Sequence, residues 1–154
     1  MDRIREIEER VDAMLAGITA EKWKREGYVH LHGVAQFCAL LAMHRGENAE
    51  LAAIAGLLHD IKSYRTLDYE DHAHLGAKMA YEVLQETELF SGEEMERICT
   101  AIFHHSEKEL QHDGLTEVLI DADVMQHSLS RPLHPPKPHE AQRYAHILQE
   151  MNMQ

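Results

Sequence analysis

Leu51-Ala52-Ala53-Ile54-Ala55-Gly56-Leu57-Leu58-His59-Asp60-Ile61 is the stretch on which the reading of this chain turns. An apolar run of this length, with no alternation, reads as a buried helix. Asn48 is placed to cap its start. A histidine and an aspartate then arrive side by side at its end. A buried charge costs several kcal/mol unless something pairs with it. A metal cation is one such partner. The alternative is that the helix simply ends and both side chains reach water. Which of the two holds depends on whether other segments bring ligands to the same place.

Working outward, the rest of the chain also reads as helix, because apolar residues recur at three and four and never alternate. Ile4, Ile7, Val11, Leu15 and Ile18 form a first amphipathic stripe. A short polar helix is expected around Glu21 to Glu26, ending at Gly27. Another is expected from about Val29 to His44, with Val34, Phe37, Cys38 and Leu41 inward and Gly46 as its stop. Ser63 to Asp71 reads as a loop. Asp71 reads as the cap of a helix carrying Leu75, Met79 and Val83, and Ser91-Gly92-Glu93-Glu94 as a capping box. Gln111 to Gly114 reads as a loop before a helix with Leu115, Val118, Leu119, Ala122 and Met125. Four prolines between Pro132 and Pro138 make 131–139 an extended connection to a last helix, Glu140 to Met151.

At 154 residues the length predicts one domain, 1–154, with a core of about 29–130 and helices at 2–19 and 140–152 packed on it. No run of 18 apolar residues is present, so no membrane span is expected. The charged N-terminus shows no signal peptide pattern. Cys38 and Cys99 sit among apolar residues, as buried free thiols of a reducing compartment do, and a cytoplasmic location is the expectation. The formal charge of −12 argues against a nucleic-acid partner. It leaves room for a small phosphorylated ligand, because a bound divalent metal reverses the local field. A homo-oligomer is left open.

Thirteen histidines are many for this length, and histidine is the commonest metal ligand. At about 100° per residue, helix phase sorts them. His30 falls on the Val34–Leu41 stripe and His32 opposite. His72 falls on the Leu75–Val83 stripe and His74 away from it. His105 lies near the inward face of the helix of Ile98 and Ile102, while His104 lies on its far side, at a fraying end where phase decides little. Asp121 and Asp123 flank their stripe equally, so phase does not choose between them. His30, His59, Asp60, His72, His104 or His105, and Asp121 or Asp123 thus come from five helices. Imidazole and carboxylate without thiolate suit Fe, Mn, Co, Ni or Zn, at a catalytic rather than a structural site.

His30-Leu31-His32-Gly33-Val34, Leu57-Leu58-His59-Asp60-Ile61 and Ala122-Asp123, in that order, resemble the HD-domain metal-dependent phosphohydrolase family. The likeness implies an all-α, HD-like bundle of about seven helices. Its last ligand is usually the aspartate of an Ala-Asp pair, so it favours Asp123 and leaves Asp121 an outer, supporting role. It implies one metal on His30, His59, Asp60 and Asp123. A second would be held by His72, His104 and His105, with Asp60 bridging and Mg open as its identity. Ile61-Lys62-Ser63 departs from the Ile-Gly-Lys that many members carry there. The implied activity is hydrolysis of a small phosphorylated molecule, a nucleotide above all, by metal-activated water. Lys62, Arg65, Lys108 and His127 are the candidates to touch substrate, beside Asp60, with Arg131 more remote. The competing readings are a diiron oxygenase of the same fold and a non-catalytic metal or ligand-binding module.

Overall fold

The computed structural model describes residues 2–112 and 114–153, and these are all-helical, as expected, with eight helices. They are α1 (Arg3–Ala16), α2 (Glu21–Arg45), α3 (Ala49–Leu58), α4 (Ile61–Thr66), α5 (His72–Thr87), α6 (Gly92–His104), α7 (Gly114–Leu129) and α8 (Ala141–Glu150). Asp113, in the expected 111–114 loop, lies outside the described residues. No helix among them is long and apolar enough to cross a membrane.

The apolar run behaves as its composition dictates. Every residue of α3 from Leu51 to Leu58 is buried, and the Asn48 side chain caps the helix by accepting from the Leu51 N–H at 3.0 Å. α2, α7, α1 and α6 pack around α3. Ile7, Val11 and Leu15 of α1 and Ile147 of α8 join the same core. Arg3 pins the first turn of α1 by pairing with both Glu50 and Glu94. The Ser91 capping box opens α6, and Gly46, at φ +74°, closes α2. Cys38 and Cys99 are free, the first buried.

Four local expectations change. No break occurs at Gly27: α2 runs through it for 25 residues. A Cβ there would stand 2.5 Å from the Leu15 side chain and 3.1 Å from the Tyr64 ring, so this glycine admits neighbours rather than ending a helix. The 63–71 segment is not all loop, because α4 covers Ile61–Thr66 and buries Ile61, Lys62, Ser63 and Tyr64. On α5 the buried face is Ala73, Gly76, Ala77, Ala80 and Leu84, while Leu75 is exposed. Small residues let α5 approach α4 and α6 closely, and the bulky ones lie at its flank. Asp71 stands before α5 without a side-chain cap and pairs instead with His74.

Gly56 sets the distance between α2 and α3. A Cβ at Gly56 would meet the Ala35 backbone at 2.7 and 2.8 Å. Backbone cannot swing aside as a side-chain end can. Gly56→Ala is therefore expected to lower stability by about 1–3 kcal/mol, although alanine favours a helix by about 1 kcal/mol over glycine. Urea unfolding of both proteins measures this; an unchanged midpoint would refute the close-approach explanation.

Candidate metal centre

α3 ends at His59, and Asp60 forms the corner from which α4 departs. The core therefore delivers His59 and Asp60 to one point. α2 passes beside that point with His30 and α7 with Asp123, all four buried. His30 Nε2 lies 3.0 Å from His59 Nε2, 3.2 Å from Asp60 Oδ2 and 3.4 Å from Asp123 Oδ1. His59 Nε2 lies 3.4 Å from Asp60 Oδ2 and 3.6 Å from Asp123 Oδ1. Ligands at about 2.1 Å from a shared ion stand roughly 3.0–3.4 Å apart. These five separations are close to that spacing, and His30 is common to the two groups, with His59 and Asp60 on one side and Asp123 and His127 on the other.

The second oxygen of Asp60 faces the other way. Asp60 Oδ1 lies 3.3 Å from His105 Nε2 and 3.7 Å from His72 Nε2. Asp60 thus presents one oxygen to His30 and His59 and the other to His72 and His105, the disposition of a bridging carboxylate.

Each of these imidazoles is oriented from behind. His59 Nδ1 donates to the Gly56 carbonyl (2.7 Å), His105 Nδ1 to the Ile102 carbonyl (2.6 Å), His72 Nδ1 to the Tyr69 carbonyl (3.1 Å) and His30 Nδ1 to Gln126 Oε1 (2.6 Å). A carbonyl oxygen only accepts, so Nδ1 carries a hydrogen in each ring and Nε2 is the atom that faces the centre, a ligand once the ring is neutral. Asp60 Oδ1 and Asp123 Oδ1 are buried and accept no hydrogen bond among the described residues. Buried, unsatisfied carboxylate oxygens are costly unless a cation joins them. The residues fit a divalent metal.

Without an ion, protons and one lysine balance the two carboxylates. Burial pushes the His59 imidazole down, but Asp60 and Asp123 override it and lift its pKa to about 10. Burial opposes ionisation of Asp60, yet His59, His105 and His30 hold it well below the usual carboxylate range. Asp123 is likewise held low against burial by Lys108, His59 and His127. Burial keeps His105 below its ordinary value, with His59 adding to it and Asp60 opposing.

The other expected residues divide. Lys108 pairs with Asp123, and His127, on α7, directs Nε2 at Asp123 Oδ1 (3.4 Å). His104 does not join the cluster. Its Nδ1 bonds Glu107 at 2.6 Å, on the side of α6 away from Asp60. Lys62 is buried under α4, where it donates to the Asp68 carboxylate at 2.7 Å and to backbone carbonyls. Arg65 is exposed, and neither cation lines the pocket over the centre. Asp121 is buried but faces Arg45 (2.6 Å) and Arg143 (2.8 Å).

That pocket encloses about 610 Å³. Asp60, Asp123, His30, His72, His105 and Gln126 lie in its wall. Arg25, Lys108, Arg131 and Lys137 supply positive charge, and Tyr64 and Tyr69 an aromatic side, backed by Trp23 at ring distances of 5.3 Å. The proline-rich connection therefore contributes Arg131, Lys137 and His139 to the site. Sequence reasoning missed Gln126 and Glu140. Gln126 follows Asp123 by three residues on α7, so the two share a helix face, and that spacing could have marked it. Glu140, almost wholly buried, accepts from His127 Nδ1 at 3.0 Å. It comes from beyond the proline-rich connection, and no local spacing ties it to His127.

No solved structure gives a significant match to the chain. The sequence profile of the HD domain family matches residues 27–151, which span His30, the His59-Asp60 pair, His72, His105 and Asp123. The chain belongs to the HD domain family.

Proposed function

We propose that this protein is a metal-dependent phosphohydrolase acting on a small phosphorylated molecule, a nucleotide in preference to others. The observation that carries the reading is the pair of buried, unpartnered oxygens of Asp60 and Asp123, ringed by imidazole Nε2 atoms below a pocket that Arg25, Lys108, Arg131 and Lys137 help to line. His30, His59, Asp60 and Asp123 would hold one ion. His72 and His105, with Asp60 between the two, would hold a second. Fe, Mn, Co, Ni or Zn suits these donors, and Mg remains a candidate for the second position. A divalent cation bound there lowers the pKa of water and offsets phosphate charge.

The chain's own residues do the rest. Arg131, Lys137 and Arg25 surround the pocket and can hold phosphate oxygens. Lys108 neutralises Asp123 and faces the same space. His127 is fixed through Nδ1 by Glu140, whose carboxyl is held below its usual range against burial by His127, Lys108 and Lys137. Its Nε2 faces the pocket side of Asp123 and can hand a proton to a leaving oxygen. Tyr64 and Tyr69 offer a flat face to a base. The volume suits a ligand of nucleotide size.

The test is phosphate release from a panel of nucleotides and generic phosphoesters, with the protein loaded with Mn, Fe, Co, Ni, Zn or Mg, in air and without oxygen. Metal-dependent, oxygen-independent release is expected. Loaded protein that hydrolyses nothing in the panel would reject the proposal, and oxygen-dependent turnover would replace it with the oxygenase reading. On the active substrate, His127→Gln should lower kcat by about 10²- to 10⁴-fold with metal content unchanged.

A further inference from the structure

We propose that His104, Glu107 and His112 form a separate zinc-class site outside the pocket. His104 Nδ1 lies 2.6 Å and His112 Nε2 3.0 Å from the same oxygen, Glu107 Oε2. The two rings stand 5.1 Å apart. The first contact is a good hydrogen bond. The second is not aligned as one: His112 Nε2 is buried, and among the described residues it has no hydrogen-bond partner despite that approach. Two nitrogens and an oxygen thus converge from three directions, as ligands of one ion do. Two imidazoles with one carboxylate make a three-ligand set that zinc accepts with a position open.

The ligands are held from outside the group. The His112 N–H donates to Glu117 Oε2 at 3.0 Å, and Glu117 pairs with Arg143 of α8. Arg143 also donates to the carbonyls of Lys108 (3.2 Å) and Leu110 (2.7 Å). The Glu107 N–H closes a turn on the His104 carbonyl at 3.0 Å. The segment from His104 to His112 is therefore clamped between α6 and α8 with its donors already gathered. It also carries His105 and Lys108, so an ion here fixes the backbone that feeds the central pocket. None of this depends on the hydrolase reading, since His104, Glu107 and His112 do not line that pocket.

Zinc titration of the chelator-treated full chain against a chromophoric competitor tests the site. His112→Gln and Glu107→Gln are each expected to bind one zinc fewer than the unaltered protein, while Asp60→Asn retains this zinc. Stoichiometry in His112→Gln and Glu107→Gln equal to that of the unaltered protein, or loss of every zinc in Asp60→Asn, would overturn the site. If the variants do not fold, the imidazole ¹⁵N signals of the unaltered protein decide. Zinc should shift His104 and His112 together, and their failure to move at saturation would overturn it.

Discussion

Asp60→Asn should strip the central ions from this protein and lower kcat/KM by about 10³-fold or more. The substitution keeps the size of the side chain and removes its charge. Both oxygens of Asp60 face imidazoles, Oδ2 toward His30 and His59 and Oδ1 toward His105 and His72. An amide offers one neutral oxygen in place of two anionic ones, so both positions lose a ligand or the charge that holds it. His72→Ala should behave differently, losing only the ion on the Oδ1 side, because His72 is grouped with Asp60 and His105 and not with His30 or His59. Elemental analysis of folded, reconstituted protein separates these outcomes. If Asp60→Asn keeps its full metal content, Asp60 is not the bridge. If His72→Ala loses both central ions with the fold intact, the two-position assignment fails.

The elements that sequence made legible are those whose burial follows side-chain chemistry directly. α3 is apolar on every side and is buried on every side. Asn48, Ser91 and Gly46 mark helix ends because each meets a backbone need that few other residues meet. The misreadings come from places where burial rests on closeness instead. α5 turns Ala73, Gly76, Ala77 and Ala80 inward and leaves Leu75 outside, which inverts any phase taken from the largest apolar residues. Gly27 looks like a stop in one dimension and is a contact point in three. α4 hides in a polar stretch because Lys62, though buried, is paired with Asp68 and two carbonyls.

The site divides along the same line. His59, Asp60, His72 and His105 lie at recognisable helix ends and His30 and Asp123 inside α2 and α7, and the fold brings the six together. Helix phase could not separate Asp121 from Asp123 because α7 is buried nearly all round; both are inside, one toward His30 and the other toward Arg45 and Arg143. His104 and His105 are neighbours in sequence, yet a turn of about 100° sends them to opposite sides. Lys62 and Arg65 were candidates by adjacency to the His59-Asp60 pair. Of the cations that line the pocket, Lys108 and Arg131 are among the sequence candidates, while Arg25 and Lys137 are brought in by tertiary packing.

Metal uptake should expel a proton at neutral pH and tighten as pH rises. In the metal-free centre His59 keeps its proton to about pH 10, because Asp60 and Asp123 outweigh the effect of burial. A ligating imidazole must be neutral. Below that value the ion bound at the His30–His59 position displaces this proton, and its apparent affinity rises about tenfold, or roughly 1.4 kcal/mol, per pH unit. Stability of the metal-free protein runs the other way. A raised folded pKa gives stabilisation that is full below the unfolded value of 6.5 and is lost as pH rises through about 10. Asp60 and Asp123, both depressed, contribute above the unfolded value of 3.8 and lose that contribution only as pH falls through their lower folded values. Metal stabilises the folded state by mass action. The gap in Tm between loaded and chelated protein should therefore widen as pH rises above 6.5, where the metal-free form is losing the His59 contribution and the ion is gaining affinity. Calorimetric titration in two buffers of different ionisation enthalpy counts the proton, and thermal scans across that range measure the gap. A buffer-independent enthalpy, or a gap that narrows with rising pH, would show that His59 does not exchange its proton for the metal.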